Sequence, residues 1–139
     1  MTRPDRPVSL VEGRSVEDGG PLRLEAGRPA LVNVWGSWCG PCRLEQPVIN
    51  RAFTSHPDVR FLGLDVQDND AAGQAFRREF KVEYPSISDP SRELASRLGA
   101  VSTPASFAID AQGVVRGQIQ GSMSPEVVDC MLALASGRP

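Results

Sequence analysis

Apolar positions along this 139-residue chain change their period several times, and each change marks an element. Ala30–Trp35 is a continuous apolar run broken only by Asn33. Short, β-branched and without alternation, it predicts a buried central strand. Leu44, Val48, Ile49, Ala52 and Phe53 then recur at helical spacing and predict a helix from Cys39 to about Ser55. Pro47 lies inside that helix and should kink it, because proline has no amide to donate and clashes with the preceding turn. Val59–Val66 reads as a second buried strand. Asp70–Phe80 reads as an amphipathic helix, with Asn69 or Asp68 as its N-cap.

Tyr84–Ser88 is a short extended piece, and Asp89-Pro90 opens a helix that Gly99 ends after Leu98. Pro104–Ile109 and Val114–Ile119 flank Asp110-Ala111-Gln112-Gly113, a hairpin signal. Ser124-Pro125 opens a last helix to about Ala135, with Val127, Val128, Met131 and Leu134 on one face. At the front, residues 1–7 with two prolines read as a disordered lead-in. Val8–Val11 and Leu22–Leu24, set among glycines, suggest a small hairpin. Residues 8–139 then form one α/β domain: strand and helix alternate first, and a hairpin and helix close a mixed sheet between helical layers.

The chemistry sits where the first buried strand gives way to the first helix, at Trp38-Cys39-Gly40-Pro41-Cys42. Cys39 falls at a helix N-terminus, where unpaired amides and the positive end of the helix dipole favour an anion. Thiolates so placed have pKa values of roughly 3.5–7.5, against about 8.5 for a free cysteine. Cys42, one turn on, can reach back and close a disulfide. The expected chemistry is a reversible two-electron exchange between dithiol and disulfide. An exposed Cys39 attacks a partner disulfide and Cys42 resolves the mixed disulfide. Zinc is the competing use of such a pair, but it needs four ligands, and only Cys130 and His56 remain, far apart and unpaired. Trp35 reads as packing and Trp38 as lining of a partner groove. Asn33 reads as satisfying buried backbone groups, and Arg43 either adds positive charge near the thiolate or is merely solvated. Cys130 reads as a small semi-buried residue, with an intermolecular disulfide or regulatory thiol as the alternative, and His56 as a surface turn residue.

Composition narrows the partners. A net charge of −2 and a pI near 5.4 give no reason to expect nucleic acid or an anionic membrane. Fourteen of the fifteen basic residues are arginines, scattered rather than clustered. No apolar run approaches the roughly 20 residues of a bilayer span, and no secretory signal is visible. Two localisations stay open on this reading: cytoplasmic, or a soluble part whose targeting segment was removed.

With these residues in view, nearly the whole chain, residues 8–136, resembles the thioredoxin superfamily. More narrowly it is similar to the extracytoplasmic TlpA/ResA/CcmG(DsbE)-type thiol-disulfide oxidoreductases. The resemblance rests on Leu31-Val32-Asn33-Val34-Trp35-Gly36-Ser37-Trp38-Cys39-Gly40-Pro41-Cys42-Arg43, followed by Glu45 and Pro47. Thr103-Pro104 stands where the family has a cis-proline opposite the active site, and Gly113 and Gly121 also fit. The 39 positions separating Asp65 from Pro104 match the inserted helix and strand of the TlpA-like branch. The resemblance implies a thioredoxin-like fold with that insertion and an N-terminal hairpin. Cys39 and Cys42 would be catalytic, and Trp38, Gly40, Pro41, Thr103 and Pro104 would contact the partner. It also implies an extracytoplasmic workplace, in the periplasm or cell envelope.

Thioredoxins proper carry a buried Asp where this chain has Asn33, which cannot take the proton of Cys42. Asp68 is the nearest remaining acid for that role, so Asn33, Trp35 and Asp68 are the expected supporting residues. The implied function is reduction of disulfides in partner proteins with cysteine pairs, such as apocytochrome c, by a monomer recharged by a membrane or soluble thiol donor. No cofactor beyond the dithiol is called for. Three alternatives stand beside it. One is an oxidant or isomerase, favoured by Thr103 before the proline. Another is a non-catalytic docking module, although such modules often lack one cysteine. The third is a peroxiredoxin-type peroxidase, although Gly36 stands where that group has Thr or Ser.

Overall fold

Residues 1–138 are described by a computed structural model. Along the chain run β1 (Arg6–Pro7), β2 (Glu12–Ser15), β3 (Pro21–Arg23), β4 (Ala30–Trp35) and α1 (Gly40–Ser55). Then come β5 (Arg60–Val66), α2 (Asp70–Glu79), β6 (Ser86–Asp89) and α3 (Glu93–Leu98), and finally β7 (Ala105–Ile109), β8 (Val114–Gln120) and α4 (Pro125–Ala135). The strands form one mixed sheet in the order β1-β8-β7-β4-β5-β6-β2-β3. This is a thioredoxin-like α/β fold.

β4 lies at the centre, and all six of its residues are buried. It runs parallel to β5, pairing Trp35 with Asp65, and antiparallel to β7, pairing Val34 with Ala105. The start of β7 and the ends of β4 and β5 therefore meet at one edge of the molecule. One apolar layer groups Val32, Leu62, Leu64, Ile87, Leu98 and Phe107. The other groups Leu31, Ile49, Phe61, Tyr84, Met131 and Leu132. Burial on both faces explains why β4 and β5 read as unbroken apolar runs rather than alternating ones.

Several local expectations shift. Residues 1–7 are not a disordered lead-in: Arg6 pairs with Val115, and Thr2 and Gln118 exchange backbone hydrogen bonds of 2.9 and 2.8 Å. They extend the edge left by β8, a contact between residues far apart in sequence that local composition does not encode. The front hairpin pairs Glu12–Arg14 with Pro21–Arg23 rather than Val8–Val11 with Leu22–Leu24. Asp89-Pro90 does not open α3. Asp89 ends β6, and its carboxylate caps the helix by accepting the Leu94 and Ala95 amides at 3.2 and 2.9 Å. Gly99 ends α3 at φ 117°, where glycine is free of Cβ strain. Asn69, not Asp68, caps α2 through the Ala72 amide at 2.9 Å.

Leu44 is 83% exposed, against expectation. The inward face of α1 is made by Cys42, Glu45, Gln46, Ile49 and Ala52, and two of these are polar. A pattern search that counts only apolar residues therefore misplaces the face. Cys130 is exposed rather than semi-buried. His56 ends α1, its Nδ1 2.9 Å from the Ala52 carbonyl.

Candidate active site

Cys39 is the N-cap of α1, with extended backbone at φ −92° and ψ 109°. Its sulfur accepts the Cys42 amide at 3.3 Å, and the two cysteines form a disulfide with Cα atoms 5.3 Å apart. Pro41 suits the first turn, where its missing N–H would have had no partner. Cys39 is buried, not exposed as expected: it and Cys42 are 3% and 2% accessible and cluster with Trp35 and Phe76. The disulfide turns the Cys39 sulfur back over the helix start, and Gly40 and Pro41 remain exposed around it.

The turn between β4 and Cys39 is tied down at each residue. Gly36 takes no side chain because the Trp38 indole lies where a Cβ would be. That indole donates to the Val66 carbonyl at 3.0 Å while Trp38 stays 52% exposed. Ser37 donates its amide to Asp68 Oδ2 and its hydroxyl to Asp68 Oδ1, both at 2.8 Å. Asp68 is thus occupied with the turn, not with Cys42. Arg43 lies over the rings of Phe76 and Phe80 and pairs with Glu79 at 3.2 Å, so its charge is already engaged.

Across the groove, the Thr103–Pro104 peptide bond is cis. Because Ala105 pairs with Val34, this loop stands at the same sheet edge as the cysteines. Pro104 is buried, and Thr103 is half-buried. Beneath the disulfide lies a buried polar cluster. Asn33 donates its amide to Glu45 Oε1 and Ser106 Oγ, both at 3.0 Å, and the Met123 amide donates to Glu45 Oε2 at 2.7 Å. Asn33 therefore serves side chains rather than the backbone groups expected. Trp35 stacks on Phe76 at 4.8 Å and donates its indole N–H to Ser86 Oγ at 3.0 Å.

The redoxin family matches residues 13–132, most of the chain. The chain belongs to that family. This redoxin is similar to thiol-disulfide oxidoreductase ResA of Bacillus thuringiensis subsp. konkukian, with 29% identity over 91% of the chain and 72% of the relative. It is similar also to thiol:disulfide interchange protein DsbE of Pseudomonas aeruginosa, with 36% identity over 88% and 69%. Among solved structures, a thioredoxin-family thiol:disulfide interchange protein from Chlorobium tepidum matches at TM-score 0.82 and 26% identity, covering 97% of this chain and 99% of that one. A secreted thiol-disulfide isomerase from Corynebacterium glutamicum matches at TM-score 0.78 and 28% identity, covering 92% and 84%. The redoxin is a thiol-disulfide oxidoreductase of the TlpA/ResA/CcmG-like group.

Electrostatics single out two acids in this redoxin that the sequence reading did not assign a role. Burial pushes Glu45 up to about 7, against the pull of the Met123 and Asn33 hydrogen bonds toward the charged form. Asp65, paired with Trp35 in the sheet, is raised to about 9 by burial first and by the neighbouring Asp68 second. Asp68 is itself held low: burial works against it, but hydrogen bonds from Asp65, Ser37 and Asn69 win. Of the two, Asp65 is the one that burial drives toward its neutral form. Glu45 was legible only as a letter of the motif. Its inward position three residues after Cys42 is the signal that could have marked it. Among the described residues no group of three or more His, Cys, Asp or Glu side chains is placed to hold a metal ion.

Proposed function

We propose that this redoxin reduces disulfides in partner proteins, with Cys39 as nucleophile and Cys42 as resolving thiol. The observation that carries the reading is the Cys39 sulfur at the N-cap of a 16-residue helix, accepting the Cys42 amide. That position stabilises sulfur as an anion. In the dithiol form, the Cys39 thiolate attacks one sulfur of a partner disulfide. A mixed disulfide forms, and the partner's other sulfur leaves as a thiolate and takes up a proton. Cys42 then passes its proton to Glu45 and attacks Cys39. The second partner sulfur is expelled, and the Cys39–Cys42 disulfide closes. Two electrons have moved to the partner, and an external thiol donor restores the dithiol.

Glu45 suits the proton transfer because it lies on the same face of α1 as Cys42 and is tuned near neutral pH. Exposed Trp38, with Gly40, Pro41, Thr103 and Pro104, would receive an extended partner segment by strand-like hydrogen bonds. The Gly-Pro pair between the cysteines supports the reductive direction, since the thioredoxin pairing sits near −270 mV and DsbA-like oxidants near −120 mV. The ResA and DsbE likenesses and the secreted neighbour support an extracytoplasmic workplace with cysteine-pair proteins as partners. Equilibration with glutathione tests the direction: a potential below about −200 mV is expected, and a higher one would make the protein an oxidant or isomerase. Trapping with Cys42→Ala, followed by mass spectrometry, names the partner held on Cys39.

A further inference from the structure

The loop preceding the cis-proline is gripped by a residue outside the motif. Arg92 stands between β6 and α3 with left-handed backbone, φ 68° and ψ 13°, a region costly for any side chain and open to glycine. The tight turn is made by other groups: the Asp89 carbonyl accepts the Arg92 amide at 3.0 Å, and the Asp89 carboxylate caps α3. Arg92 itself supplies no side-chain cap. What an arginine adds at this position is reach. Its Nη1 donates to Thr103 Oγ1 and its Nη2 to the Ser102 carbonyl at 2.9 Å. One planar fork thus holds two successive residues ahead of Pro104. Among the described residues no carboxylate pairs with Arg92. A hydroxyl that accepts from a guanidinium keeps its own proton for another acceptor.

We propose that Arg92 is a positioning residue for partner docking: from the inserted segment it sets Thr103 as a hydrogen-bond donor and stiffens the Ser102–Thr103 edge that receives the partner's cysteine segment. The inference rests on the disulfide-exchange reading above. It makes the β6–α3 insertion part of the specificity apparatus, acting through Thr103 rather than on the reacting sulfurs.

Arg92→Gly separates this role from a structural one, because it relieves the left-handed backbone while removing the fork. The probe is a short synthetic peptide with two cysteines, reduced by the dithiol protein when supplied as the disulfide and oxidised by the disulfide protein when supplied as the dithiol. We expect Arg92→Gly to melt no lower than wild type and to raise KM about tenfold, the worth of the one hydrogen bond Thr103 would donate to the partner. The pH midpoint of Cys39 alkylation stays in place. Arg92→Lys, with one point donor, falls between. In a Thr103→Ala background the Gly variant adds nothing further to KM. An unchanged KM, or effects of the two substitutions that simply add, would overturn the proposal. Wild type that oxidises the peptide but does not reduce it overturns only the reductive direction, and the KM comparison is then read in the oxidative one.

Discussion

Around Leu62, Phe107 and Met131 both faces of the sheet are sealed by aliphatic and aromatic side chains. At the ends of β4 and β5 the same depth of burial encloses Asn33, Glu45, Asp65, Arg77 and Ser106. The first region gains from every methylene it removes from water. The second must find a partner for each polar atom it encloses, because an unpaired one costs about 1–3 kcal/mol. It succeeds in part: Arg77 donates to Glu17 and to the Tyr84 carbonyl, both at 2.7 Å, and the Asn33 amide nitrogen spans Glu45 and Ser106, while Asn33 Oδ1 and Asp65 Oδ1 have no hydrogen-bond partner among the described residues. The contrast teaches that stability and chemistry are held in adjoining regions of one sheet. The apolar faces fix the strands, and the strand ends then hold acids at positions water would not allow.

Substitutions on either side of that boundary should behave differently. Cys39→Ser should bring disulfide exchange down to the uncatalysed rate with the melting temperature of the reduced protein nearly kept. Equal rates for wild type and variant in insulin-turbidity assays would remove the catalytic assignment. Phe107→Ala, in the apolar region, should cost about 3–5 kcal/mol in urea unfolding. It should leave the pH midpoint of Cys39 alkylation in place, and a moved midpoint would show that the regions are not separable.

Glu45→Gln should act through pH. The folded-state value is raised from 4.5 to about 7, so the folded protein binds the proton more tightly than the unfolded chain. That stabilisation is full below about 4.5 and is lost as pH rises through about 7. The limiting slope is roughly 1.4 kcal/mol per unit. Asp65 contributes in the same sense up to about 9, so the difference between wild type and Glu45→Gln isolates Glu45. The variant should gain about 3 kcal/mol on wild type between pH 4 and pH 8, and it should prolong the mixed disulfide. Parallel stability curves would mean that Glu45 does not titrate as described.

Asp68→Ala removes both Ser37 hydrogen bonds and should cost about 1–2 kcal/mol. Leu44→Ser, on the exposed side of α1, should stay within about 0.5 kcal/mol of wild type. A larger loss would mean that Leu44 packs within the chain rather than standing exposed on α1.

Much of this was legible along the chain because it is encoded locally. A six-residue run that is apolar except at Asn33 specifies a strand buried on both faces, Asn69 and Ser124 mark helix starts, and Cys39 followed by Pro41 marks the start of α1. Burial of polar residues was not legible. Glu45 and Gln46 face inward only because Asn33, Tyr84 and Met123 come from other elements to meet them. Spacing along the chain offers Asp68 as the acid for Cys42, but its direction depends on Ser37, 31 residues earlier.

By itself the sequence determined which cysteine sits at a helix N-terminus and that its companion follows one turn later, since both follow from spacing within a few residues. Only the tertiary structure decided that Glu45 is enclosed by Asn33 and Met123, that Asp68 holds the turn through Ser37, and that Arg92 reaches Thr103. Those facts depend on side chains brought together across long loops, where hydrogen-bond partners are chosen by the packing of the sheet and not by their neighbours in the chain.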